Sequence, residues 1–150
     1  MTVSSVQITF DFRTQTLGLA RAENGQIALD GGLGPSSMIS LLTNAPRQAG
    51  DSTKEDGGWW GDSYREPDDP IWGSRLYALR GARILDLRDA ETKAHAALAW
   101  QIRSGAVTRH EITASYPDNA DPERSVILLR VVSYLGDDVV WDNITEVHRG

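Results

Sequence analysis

The sequence has no cysteine, and only two of its 15 basic residues are lysine. Without cysteine there is no disulfide framework and no thiolate metal site, which suits an intracellular fold. A run of about 18 apolar residues, enough for a membrane helix, does not occur. The opening stretch, MTVSSVQITFDF, has neither a basic start nor a long apolar core, so no secretory leader is expected. A basic excess is also missing. The net charge is -6, and an acidic chain is a poor general binder of nucleic acid, whose affinity rests on cationic contacts to phosphate. Neither His-x-His nor His-Glu-x-x-His occurs among the three histidines, His95, His110 and His148. They read as isolated polar residues, and no metal site is expected. The phosphate-binding Gly-Lys-Ser/Thr loop is absent.

What is present is the composition of a folded protein. Hydrophobic residues make up 40% and charged residues 24% of 150 residues, which fits one domain over residues 1–150. The charge is unevenly spread. Residues 51–69 hold seven acidic side chains against Lys54 and Arg65, so this segment carries -5 of the net -6. Arginine suits desolvated, bidentate contacts better than lysine does, although high-GC coding produces the same bias.

Hydrophobic periodicity gives an α+β architecture. Val6, Ile8, Phe10 and Phe12 alternate with polar residues, as in a half-buried strand. Leu17 and Leu19 start a second strand, Asn24-Gly25 signals a hairpin, and Ile27 and Leu29 belong to a third. These strands predict an N-terminal antiparallel meander. Pro35 suits a first helical position, and Met38, Ile39, Leu41 and Leu42 follow at helical spacing, giving a helix over about 35–44. A second short helix is expected after Gly73-Ser74-Arg75-Leu76, ending near Gly81. A third, over about 87–104, has Asp86 as its cap, Asp89 and Glu91 near its start and Gly105 at its stop. Ala90, Ala94, Ala97, Leu98, Gln101 and Ile102 form its apolar stripe. Three strands close the chain, at 106–116, 125–135 and 139–147. The middle one is apolar on both faces and so central, and the last is an exposed edge. The fold class is therefore α+β: an N-terminal antiparallel meander, three helices and a C-terminal three-stranded antiparallel sheet.

Residues 45–72 differ from the rest. They are rich in glycine, proline and acid, yet contain Trp59, Trp60, Tyr64 and Trp72. Long loops in a small domain are usually functional or disordered, and disorder is poor in aromatics. An ordered loop whose aromatics dock on something is expected. Gly61-Asp62-Ser63 has the form of an esterase nucleophile block. Its Asp-x-x-His partner is missing, since Thr145 stands at that offset from His148. Asp56, Asp62 and Glu66 beside the tryptophans admit a cell-wall glycosidase (lysozyme-like) or a sugar-binding module, but no spacing singles out an acid and a nucleophile. Gly32-Leu33-Gly34-Pro35 lacks the third glycine of a dinucleotide turn and reads as a helix entry. Arg65, Arg75, Arg80, Arg83 and Arg88 suit the acidic loop, or a neighbouring chain's carboxylates, as partners.

Gly57-Gly58-Trp59-Trp60-Gly61-Asp62, followed by Gly73-Ser74-Arg75-Leu76, carries a resemblance. With these blocks, the early strands, Ile39-Ser40-Leu41-Leu42-Thr43 and Ala97-Leu98-Ala99-Trp100, most of the chain resembles the small baseplate wedge protein of Mu-like contractile-tailed phages. Two positions depart from that pattern. Tyr77 stands where relatives often carry Trp, and Ala99 where many carry leucine. More distantly, the chain is similar to the sheath-initiating wedge subunit of contractile injection systems. The Glu-Pro-Arg motif of those proteins matches Ala45-Pro46-Arg47 here, without its glutamate.

The resemblance implies a non-catalytic subunit of the virion tail baseplate, present in host cytoplasm before assembly and requiring no cofactor or metal. It implies partners in the large baseplate wedge protein and the tail sheath protein, with the central spike or hub as a further contact, and no nucleic acid or membrane. The interaction residues are then Pro46, Arg47, Trp59, Trp60, Asp62, Ser74 and Arg75 toward the wedge. Val139 and Trp141, on the last strand, face the sheath. There a sheath arm would add a strand to the open edge.

Overall fold

A computed structural model describes residues 5–6, 8–11, 16–19, 29–30, 33–51, 56–66, 71–81, 86–117 and 126–148. The chain divides into two compact units, Met1–Ile39 and Ser40–Gly150.

In the first unit, β1 (Ser5–Val6), β2 (Ile8–Asp11), β3 (Thr16–Leu19) and β4 (Leu29–Asp30) precede helix α1 (Leu33–Leu42), whose last residues belong to the second unit. The expected antiparallel pairing is present in part. β2 and β3 form an antiparallel hairpin, but β4 pairs with β1 rather than with β3. Ser5 and Val6 pair with Asp30 and Leu29, and Ile8–Asp11 with β3, while Gln7 between them lies outside the described residues. Phe12, Asn24, Gly25 and Ile27 lie outside the described residues. α1 begins two residues before Pro35, which sits inside the first turn rather than at its first position. The side chains of Ser36 and Ser37 donate to the Leu33 carbonyl and so occupy one of its first-turn acceptors.

The second unit is helix α2 (Leu87–Arg103) laid on a sheet of β5 (Arg109–Ser115), β6 (Val126–Leu135) and β7 (Asp138–His148), in the order β5-β6-β7. α2 starts at Asp86, whose carboxylate accepts from the amides of Arg88 and Asp89 at 2.8 and 3.2 Å. It ends before Gly105, which has φ +75°. The small residues Ala90, Ala94 and Ala97 let α2 approach the sheet closely. Leu98 and Leu41 join them against Ile112, Ala114, Ile127, Leu129, Val131 and Val147. β6 is central, as its apolar pattern predicts. Glu91 reaches from α2 to accept the Ala114 amide at 2.8 Å, which occupies one donor of strand β5.

Among the described residues two α-helices are present, not three. The stretch after Gly73-Ser74-Arg75 is a 3-10 helix, Leu76–Gly81. Leu76, Tyr77, Ala78 and Leu79 are all buried. At six residues it is short, the length range in which the tighter 3-10 turn is used. A further 3-10 helix, Trp60–Tyr64, interrupts the glycine-rich loop, where regular structure was not expected.

An aromatic ladder beside a buried ion pair

The loop, which lies within the second unit, is fastened at both ends. Asn44 and Ser74 form a parallel bridge, through Ala45 N–H to the Ser74 carbonyl (2.9 Å) and Ser74 N–H to the Thr43 carbonyl (2.8 Å). The Ser74 hydroxyl is inside, donating to the Leu41 carbonyl at 2.6 Å and accepting from the Leu76 amide at 3.3 Å. Arg47 N–H donates to the Asp56 carbonyl at 2.7 Å, and Gly58 N–H to the Asn44 carbonyl at 3.1 Å. Two glycines are required by this weave. Gly57 and Gly73 have φ of +62° and +97°. A β-carbon at Gly57 would strike the Tyr77 hydroxyl and the Ala45 carbonyl, and one at Gly73 would meet the Thr43 carbonyl.

The ion pair lies behind this strap. The Asp51 side chain is 3% exposed and accepts from Arg75 Nη1 at 3.2 Å and from the Gln48 amide at 2.8 Å, with Lys93 Nζ at 3.9 Å. Lys93, on α2, is itself buried and also pairs with Asp89. Both cations line a groove of about 170 Å³ together with Pro46, Ile71 and Ser74. The structure thus brings Pro46, Ser74 and Arg75 together, while Arg47 next to them is exposed. Asp51 was legible only as one of seven acids. Its burial and its two basic partners carried no local sequence signal.

From α2 a chain of rings runs outward. Trp100 donates through Nε1 to Ser40 Oγ at 2.9 Å. Its ring lies 5.1 Å from Trp72, Trp72 6.4 Å from Trp59, Trp59 5.4 Å from Trp60, and Trp60 6.2 Å, edge-on, from Tyr64. Trp59 folds over Gly61, where a β-carbon would strike its ring. The outer end is open to solvent. Trp60 is 75% and Tyr64 82% exposed. Between them in sequence, both carboxylate oxygens of Asp62 are enclosed, with no hydrogen-bond partner among the described residues. Ser63 donates its hydroxyl to the Trp60 carbonyl, and Asp56 and Glu66 are exposed.

At the far end of the sheet, β7 pairs with β6 on one side, and among the described residues no strand pairs with its other side. Register shifts between Ser133 and Tyr134, which face Trp141 and Val139, so Val140 is an extra, bulged residue. Val139 is exposed, whereas Trp141 packs on the core. On the outer face Arg130 grips Asp142 with two hydrogen bonds and holds its carboxyl below the ordinary value. Tyr134 donates to Glu111 at 2.8 Å under the Arg109 guanidinium.

The histidines are not all isolated polar residues. His110 is buried, with Nδ1 2.9 Å from Ser133 Oγ, and burial lowers its pKa. His95 is exposed on α2, and His148 lies 3.1 Å from Glu146. Among the described residues no three His, Asp or Glu side chains form a potential metal site, and no helix is long and apolar enough to cross a membrane. Of the clustered arginines, Arg75 meets the acidic loop at Asp51. Arg83 lies outside the described residues.

These elements, a helix on a three-stranded sheet with an aromatic turn strapped to it, coincide with a known family. The profile described as "Phage protein GP46" matches residues 34–139, from α1 through both loop blocks to the start of β7, and the chain belongs to that family. It is 35% identical, over 113 residues, to the protein named Mu-like prophage FluMu protein gp46 of Haemophilus influenzae. That alignment covers 74% of each chain.

Proposed function

We propose that the chain is a structural, non-catalytic subunit of a contractile phage tail baseplate wedge, joining the large wedge proteins to the first sheath ring. Membership of the GP46 family supports a role in a phage. The observation that carries the wedge reading is the exposed Trp60–Tyr64 end of a ring ladder anchored on α2. Trp and Tyr on a fixed backbone give a large contact area at low entropic cost, and such residues dominate interfaces. A tryptophan 75% exposed stabilises its own fold little, so its contribution comes when a partner covers it.

In this reading Pro46, Arg47, Trp59, Trp60, Asp62 and Arg75 face the large wedge protein, with Ser74 holding the groove in shape. β7, with Val139 exposed and Trp141 anchoring the strand, receives the sheath. An open strand edge is normally blocked in a monomer, and here it serves as a pairing site. The test is co-expression with the large wedge protein of the same phage. Wild type should co-purify with it, and Trp60→Ala should not, while melting at the wild-type temperature. Intact co-purification combined with a lowered melting temperature would sink the reading.

A further inference from the structure

We infer that the turn around Asp62 is a receptor for an arginine side chain of the partner protein. The partner is placed by the wedge reading, but the chemistry of the site stands on three local observations. The first is Asp62, whose two carboxylate oxygens are buried and, among the described residues, make no hydrogen bond. A carboxylate in that state is unfavourable until a donor reaches it. The residue itself is only partly buried, on a solvent-facing 3-10 turn.

The second observation is the ring pair beside it. Trp60 and Tyr64 stand edge to face at 6.2 Å and are exposed by 75% and 82%. Their open faces are negative and attract a cation. A guanidinium is planar, weakly hydrated and able to bind a carboxylate through two donors while stacking on a ring, whereas an ammonium offers a point charge. The third is the field. The segment 51–69 carries -5 in sequence, and of its described acids Asp51 is already paired inside, so the exposed carboxylates are what draw in a basic surface and repel an acidic one. Asp56 and Glu66 are exposed on the same loop.

The experiment titrates the whole chain with oligo-arginine, oligo-lysine and oligo-glutamate peptides, followed by tryptophan fluorescence. Oligo-arginine should bind and weaken with added salt. Oligo-lysine should bind about tenfold more weakly, and oligo-glutamate not at all. Trp60→Ala should weaken arginine binding about tenfold. Asp62→Asn should weaken it by about tenfold or more and leave the melting temperature equal to or above that of wild type, because it removes an unpartnered buried charge.

A lowered melting temperature in Asp62→Asn with unchanged peptide binding overturns the inference. So do equal binding of both cationic peptides, or binding of chitin oligosaccharides at the same tryptophan in place of arginine. If oligo-arginine fails to bind while Trp60→Ala still abolishes co-purification with the large wedge protein, the arginine assignment falls and the wedge reading stands. If oligo-arginine binds through Asp62 but Trp60 is dispensable for co-purification, the receptor stands and the wedge reading falls.

Discussion

Asp51→Ala removes a carboxylate that holds the loop to α2. Its side chain is 3% exposed, and it serves Arg75, the Gln48 amide and, at 3.9 Å, Lys93. Breaking a buried pair from one side costs about 3–5 kcal/mol, mostly from the charge left behind. That range is reduced here for two reasons. Arg75 is 25% exposed and can rehydrate, and Lys93 keeps Asp89. A loss of about 2–3 kcal/mol remains. For a chain of this length that corresponds to a melting temperature lower by roughly 5–10 °C. The assay is thermal unfolding by circular dichroism, with urea unfolding for the free energy. Asp89→Ala is the control, since its carboxylate is 42% exposed and its loss should cost about 1 kcal/mol or less. The paired variant Asp51→Ala/Arg75→Ala should be less destabilised than the sum of the single changes. A loss under about 0.5 kcal/mol for Asp51→Ala is the behaviour of a surface acid and would refute the reasoning.

Gly57→Ala should cost about 2–4 kcal/mol in urea unfolding, from positive φ and from the clash with Tyr77 and Ala45. Trp60→Ala should change stability by less than about 0.5 kcal/mol. His110 predicts a pH dependence. Its folded pKa lies below the unfolded value of 6.5, chiefly through burial and further through His95, so the folded state binds the proton less readily. Stability should be fully present above pH 6.5 and fall as the pH drops below it, and His110→Gln melting curves should lose that slope. Val140→Pro falls at the bulge, where proline is tolerated. In an assembly assay it should block sheath extension and spare wedge formation.

Helix α2 was legible because its signals are local. Asp86, the alanine stripe and Gly105 each act within a turn or two of where they stand. β6 was legible as the central strand because both of its faces are apolar. The outcome elsewhere was decided by distant partners. Leu76 to Leu79 read as a short helix, and the structure has a buried 3-10 turn there. The early alternating run marks a strand but not which strand it pairs with, and its two halves took different neighbours. His110 looked polar and isolated because Ser133 lies 23 residues away.

The loop shows the same division. Its glycines, acids and tryptophans announced an ordered segment. Trp59 and Trp60, adjacent and identical in type, separate only in the fold. Trp59 leans on Gly61 and Trp72, while Trp60 faces solvent. The acids separate likewise, with Asp51 paired inside, Asp62 enclosed without a partner among the described residues, and Asp56 and Glu66 in solvent. Loop chemistry that looks uniform in composition therefore comprises a structural clamp and an outward-facing aromatic turn, the proposed site.

The most direct test of that outward-facing site places a photo-crosslinking amino acid at position 60 and irradiates assembled particles. The account predicts a single major adduct, with the large wedge protein, identified by mass spectrometry. Crosslinks confined to the chain itself, or none above the level of a control probe at exposed Thr108, would contradict it.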